Sequence, residues 1–175
     1  MMELIVTPKH KAEEYFKSFG ASHVISICCP GEDHPEFSVG SDRLIKKQFY
    51  DICWEPVSEI DKARYFAPPS RDFVADLLTF GGQYTEETRL LSHCWAGISR
   101  SSASAIISMI PLLGYKDSVA KVAALEVSSY GIIGKAASMP GSELFCPNVL
   151  LIRYTDEALG LSGKLIDLVN ESFKY

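Results

Sequence analysis

Four short apolar runs, separated by segments of helical or loop character, most constrain the architecture. They are "ELIVT" from Glu3, "HVISICC" from His23, "RLIKKQFYDI" from Arg43 and "TRLLSHC" from Thr88. "HVISICC" is continuous rather than alternating, which is the pattern of a strand covered on both faces. "RLIKKQFYDI" is less apolar and suits a sheet edge. Between the first two runs, Ala12, Tyr15, Phe16 and Phe19 recur at helical spacing. Thr7 is placed to cap that helix, Pro8 to take its first position and Gly20 to end it. Ser70 caps a second helix with Phe73, Leu77 and Phe80 on one face and Val74 and Leu78 beside them; Gly81 and Gly82 stop it.

After Arg100 the chain turns helical. "SSASAIISMIPLLG" predicts a helix with a kink or end near Pro111, and Asp117 is placed to cap "SVAKVAALEVSSYG". "PNVLLIRYTDEALG" and "SGKLIDLVNESF" complete the run, the last with Leu165, Ile166, Val169 and Phe173 as its apolar face. Strands alternating with helices, followed by a helical C-terminal half, predict an α/β fold. Its centre is a mostly parallel sheet of about four to five strands flanked by helices. The expected organisation is one domain over residues 1–175, with a core to residue 113 and C-terminal helices from 114. Residues 52 to 69 read as a long irregular loop, and loops of that length are commonly functional.

Composition narrows the partners. The net charge is −5 with no long basic run, which disfavours a nucleic-acid partner. No apolar stretch is long enough to span a membrane, and the N-terminus is unlike a signal peptide. Five cysteines, an odd number, suggest reduced thiols and a cytoplasmic location. There is no C-x-x-C pair and the four histidines are scattered, so no structural metal site is expected.

The chemistry concentrates in "HCWAGISRS", residues 93 to 101. A loop between a strand and a helix turns backbone N–H groups outward, and the helix dipole adds partial positive charge. Gly97 supplies the backbone freedom that such a nest of donors needs. Arg100 offers a planar fork for two oxygens of a phosphate. The same field favours the thiolate of Cys94 over its thiol, making a nucleophile aimed at bound phosphorus. Trp95, Ala96, Gly97, Ile98 and Ser99 then contribute the phosphate-binding backbone. Ser101 is placed to hydrogen-bond the sulfur, and His93 to hold the loop rather than transfer a proton.

This stretch resembles the H-C-x5-R-[ST] signature loop of the cysteine-dependent protein tyrosine phosphatases. Its mid-chain position and the small chain resemble the dual-specificity branch, and the C-terminal segment resembles that of bacterial members with the same loop. The resemblance implies a phosphomonoester hydrolase that needs no metal or other cofactor and acts through a cysteinyl-phosphate. Its substrates would be a phosphorylated protein, on tyrosine with or without serine and threonine, or a small aryl phosphate.

The resemblance also implies an aspartate that protonates the leaving oxygen. Asp51, at the end of the third strand candidate, is the preferred acid and Asp61 the alternative. Asp61 lies at the more usual distance from Cys94; Glu59 is a further carboxylate in the stretch, and Glu55 is discounted because "WEP" reverses the expected order. Cys53 is a candidate to approach Cys94, and Cys28 and Cys29 read as strand core. His34, beside Asp33 and Glu32, reads as a solvated loop residue. Trp95 either flanks the pocket mouth or packs under the loop. Two rival readings remain: a phosphate-binding interaction module with negligible turnover, and an arsenate reductase that would need Cys53 as its resolving thiol.

Overall fold

The computed structural model describes residues 1–54, 67–127 and 139–173. Strands β1 (Glu3–Pro8), β2 (His23–Cys28), β3 (Leu44–Gln48) and β4 (Arg89–Cys94) form one sheet in the order β1-β4-β2-β3, and every pairing is parallel. The last strand in sequence is therefore inserted between the first two. β3 lies at an edge, as its weaker apolar character predicts. In open α/β sheets, ligands bind beyond the carboxyl ends of the strands where the strand order reverses. The end of β4 is such a point, and its last residue is Cys94.

Successive β4 side chains point to opposite faces and so enter two cores. Leu91 packs with Val24, Ala12 and Phe16 under α1 (Ala12–Phe19). Leu90 packs on the other face with Phe73 and Leu77 of α2 (Arg71–Gly81) and Ile106 of α3 (Arg100–Ala123). Beyond α3 come a short antiparallel pair, β5 (Glu126–Val127) with β6 (Met139–Pro140), and one turn of helix, α4 (Gly141–Leu144). Two helices, α5 (Val149–Ala158) and α6 (Lys164–Ser172), then close the larger core. Leu165, Val169 and Phe173 are buried as their spacing predicts, and Ile166 is half-buried.

One side-chain cap matches expectation, that of Ser70, and a second, Asn148, is new. Ser70 Oγ accepts from the Phe73 N–H at 3.1 Å, and Asn148 Oδ1 accepts from the Leu151 N–H at 3.1 Å. Four expectations are corrected. Thr7 and Pro8 do not start a helix: β1 runs through both, in register with His93 and Cys94, and Pro8 is extended. Strand pairing wins there, and an edge strand tolerates the missing proline N–H. A 3-10 turn (Lys9–Lys11) then leads into α1. The helix after Arg100 passes through Pro111 and breaks instead at Gly114, where φ is 77° and ψ 163°. Consequently Asp117 lies inside the second helical segment and is not its cap. The third strand is also shorter than predicted, leaving Tyr50 and Asp51 beyond its end.

The first turns of α3 are buried almost without interruption, which small residues make possible: Ser101, Ser102, Ala103, Ser104 and Ala105 occupy the centre of the molecule. Gly81 serves the same packing. A Cβ added to it would lie 1.7 Å from the Ser108 carbonyl oxygen, so α2 and α3 meet backbone to backbone. Gly81→Ala must push the two helices apart, an overpacking that costs about 1–3 kcal/mol or more. Urea unfolding should show that loss as a lower midpoint with an unchanged slope.

Candidate active site

Register and one glycine build the loop after Cys94. Gly97 has φ 71°, and a Cβ there would meet the Thr7 carbonyl carbon at 2.4 Å and the Pro8 nitrogen at 2.5 Å. No side chain fits. The loop thus folds back onto the end of β1, and the Lys9 N–H reaches the Trp95 carbonyl at 3.3 Å. In this pose the Gly97 N–H donates to Cys94 Sγ at 3.2 Å, and Ser101 Oγ lies 3.2 Å from the same sulfur. Cys94 is buried at the N-terminal end of α3, where backbone donors and the helix dipole favour negative charge.

The Arg100 guanidinium is anchored at one end and open at the other. One Nη donates to the Phe49 carbonyl at 2.6 Å and reaches Cys29 Sγ at 3.5 Å. Its Nε is buried with no hydrogen-bond acceptor among the described residues. The nearest carboxylate oxygen, Asp51 Oδ2, is 4.0 Å away, close enough to attract but too far to bond. A buried, unpartnered charged donor is costly, and an incoming anion would satisfy it.

Asp51 is held by two donors on one oxygen. Ser99 Oγ and Asn148 Nδ2 each donate to its Oδ1 at 2.7 Å, leaving Oδ2 turned toward Arg100. Asn148 is fully buried and joins three elements. Its Nδ2 also donates to the Ile52 carbonyl at 3.1 Å, its backbone N–H donates to the Ser99 carbonyl at 3.2 Å, and its Oδ1 caps α5. The sequence reading overlooked Asn148. Its signal was present in "PN" before an apolar run, an N-cap pattern, but a cap does not reveal what the amide's other end touches.

These residues surround one pocket of about 490 Å³. Its lining includes Cys94, Ala96, Ile98, Ser99 and Arg100, with Asp51 and Tyr50 on one side and Cys29 and Glu32 on the other. Trp95 is 62% exposed and also lines it, so it flanks the mouth rather than packing beneath the loop. Glu32 is paired with Lys9 at 3.3 Å. Cys53 is exposed and is not among the residues lining the pocket. Cys28 belongs to the strand core, but Cys29 does not: it lies just past β2 and faces the guanidinium. Glu55, Glu59 and Asp61 lie outside the described residues.

His93 is completely buried, and its Nε2 lies 2.7 Å from Ser26 Oγ. Burial, with His34 nearby as a secondary cause, pushes its pKa down to about 3, so it is neutral at physiological pH. That agrees with a holding role. The expectation for His34 is corrected: it is half-buried, not a solvated loop residue, and its Nδ1 lies 2.7 Å from the same Ser26 hydroxyl.

The fold has a solved counterpart. The crystal structure of a human tyrosine phosphatase-like serine/threonine/tyrosine-interacting protein superposes with a TM-score of 0.51 at 20% identity, covering 91% of this chain and 92% of that one. The α/β architecture is therefore phosphatase-like. No family model matches the chain, and no curated protein matches it.

Removing the Asn148 amide strips Asp51 of one of its two donors, the Ile52 carbonyl of a donor and the Leu151 N–H of its cap. Asn148→Ala should destabilise the fold by about 1–3 kcal/mol, read by thermal melting. Asn148→Asp should do so as well, because a carboxylate would face Asp51. His93 sets an acid limit. Its folded pKa lies below the unfolded value near 6.5, so the unfolded chain binds more protons between about pH 6.5 and 3 and stability falls as pH drops through that window. Between pH 7 and 4.5 the wild type should lose about 2 kcal/mol more than His93→Gln in denaturant titrations.

Proposed function

We propose that this chain is a phosphomonoester hydrolase that works through a cysteinyl-phosphate and requires no metal, within a single phosphatase domain over residues 1–175. One observation carries the reading: Cys94, the open face of Arg100 and the Asp51 carboxylate converge on one pocket. The phosphate dianion would seat on the loop N–H groups, with Arg100 Nε and its remaining Nη hydrogens taking its equatorial oxygens. Phosphoryl transfer has a loose transition state, so positioning and electrostatic stabilisation supply most of the rate.

The two steps balance with groups already in place. Cys94 Sγ forms a bond to phosphorus as the ester P–O bond breaks, and Asp51 gives its proton to the departing oxygen. Water then attacks phosphorus while Asp51 takes a proton back, and the P–S bond breaks. The leaving thiolate is received by the Gly97 N–H and the Ser101 hydroxyl, both 3.2 Å from the sulfur.

Phosphotyrosine in a protein, or a small aryl phosphate, fits the mouth best, with phosphoserine and phosphothreonine as further substrates of the same loop. Trp95 and Tyr50 offer exposed aromatic surface beside the pocket for a phenyl leaving group. Glu32 at the mouth and the net charge of −5 oppose polyanions, including nucleic acid. The expected location is cytoplasmic, without a membrane partner; among the described residues no helix is long and apolar enough to cross a bilayer.

A second reading has a specific support. The solved counterpart is named as an interacting protein that is phosphatase-like, which fits a domain that binds phosphorylated residues without turning them over. Hydrolysis of p-nitrophenyl phosphate in excess chelator separates the two. The hydrolase reading expects activity that survives chelation, vanishes in Cys94→Ser and falls by about 10²-fold or more in Asp51→Asn. Activity surviving in Cys94→Ser would overturn it. No turnover by fully reduced protein, together with phosphotyrosyl-peptide binding that Arg100→Lys weakens, would establish the interaction module.

A further inference from the structure

A chain of three side chains runs from a loop to the residue before the nucleophile, and the steps above use none of it beyond His93. Its outer member is His34, in the loop between β2 and β3, half-buried. Its middle member is Ser26 of β2, fully buried. Its inner member is His93 of β4, which directly precedes Cys94. Both links measure 2.7 Å, His34 Nδ1 to Ser26 Oγ and Ser26 Oγ to His93 Nε2. The parallel pairing of β2 with β4 sets Ser26 opposite His93, so the middle link is fixed by sheet register.

A hydroxyl has a single proton, so Ser26 can donate to only one of the two imidazoles and must accept from the other. The direction of the chain therefore decides which His93 nitrogen carries hydrogen. If His34 donates from Nδ1, Ser26 donates to His93 Nε2, and the His93 proton sits on Nδ1. If the chain runs the other way, His93 Nδ1 is bare. Nδ1 is buried with no hydrogen-bond partner among the described residues, so no bond on that side of the ring fixes its hydrogen. The direction is therefore set from the outer end of the chain, at His34.

We propose that His34 is a positioning residue for Cys94: acting through Ser26, it fixes which nitrogen of His93 carries hydrogen, in the residue that directly precedes the nucleophile. The role in turnover rests on the hydrolase reading; the tautomer does not. When His34 is protonated both its nitrogens carry hydrogen, so Ser26 must accept from it and the direction is locked. When His34 is neutral, its own tautomer sets the direction. The groups facing His34 are Lys46 of β3, Lys9 of the 3-10 turn, Asp33 of its own loop and His93 itself. The two lysines oppose its protonation, Asp33 favours it, and burial opposes it most.

The test uses His34→Ala, which removes the donor, and His34→Asn, whose amide nitrogen can occupy the place of Nδ1. His34 lies on a half-buried loop, so both variants should fold, which circular dichroism would check. Nitrogen-15 shifts of the His93 ring report the tautomer directly, with or without turnover. The expected result is a single His93 tautomer in wild type, retained in His34→Asn, and a mixed or reversed one in His34→Ala and in Ser26→Ala. If p-nitrophenyl phosphate is hydrolysed, kcat/KM should fall about three- to tenfold in His34→Ala and be largely restored in His34→Asn. An unchanged His93 tautomer in both His34→Ala and Ser26→Ala would overturn the proposal. Loss of turnover in every protein with the tautomer shift intact would instead count against the hydrolase reading alone.

Discussion

The contact on which the site depends is between two stretches of backbone. Gly97 rests against the Thr7–Pro8 peptide with no room for a Cβ, and that closeness lets its N–H turn inward onto Cys94 Sγ. The contact exists only because β1 is paired with β4 in a register that brings Pro8 level with Cys94. Sheet order, strand register and the conformation of one glycine are thus consecutive steps of one construction. A sulfur at the end of β4 without that fold-back would be an ordinary buried thiol. With it, the sulfur faces backbone donors at the start of a long helix.

The C-terminal helices belong to the same construction. From sequence they could be assigned to completing the core or to meeting a partner. Asn148 shows a third use, since its side chain caps α5 while binding Asp51 and the Ile52 carbonyl. The position of Asp51 is therefore set by residues from the loop after β3, from the start of α3 and from the start of α5. Buried polar networks of this kind are stabilising only when fully satisfied, and they hold a geometry more sharply than apolar packing does. One group beside this network is an exception: Arg100 Nε is buried without an acceptor among the described residues, and Arg100 lines the pocket. The exception falls where a ligand would remove it.

What could be read from sequence followed from periodicity and local spacing. The four strands, the Ser70 cap and the apolar face of α6 have short-range signatures, and so does the loop from His93 to Ser101. What could not be read depended on neighbours distant in the chain. Thr7-Pro8 has the composition of a helix start, yet pairing with β4 made it strand. Pro111 is a common helix breaker, but the break moved three residues on to Gly114. Cys29 looked like an extension of an apolar strand, and only the turn after β2 put it beside Arg100. His34 sits in a polar stretch that reads as solvated; its partner Ser26 is eight residues away, on a strand whose interior is otherwise apolar. A local pattern names the element, while the side chain's job is decided by what the fold brings to it.

The acidic balance of the chain poses a last problem, because a net charge of −5 should repel phosphate. The donors at the pocket resolve it by distance. Arg100 and the loop amides lie within the pocket, whereas Lys11 with Glu14, Arg89 with Glu3 and Lys47 with Asp76 form ion pairs at partly exposed positions, where solvent and salt screen them. Lys9 neutralises Glu32 at the mouth. A buried guanidinium interacts through lower dielectric and gains more from an anion than exposed charges lose to it. His93 adds no positive charge, being neutral, so among the described residues the pocket lining holds one full cation, Arg100, beside a set of dipoles. On the proposed hydrolase reading, such a site would suit one phosphate group at a time, as in a monoester and not a polyanion.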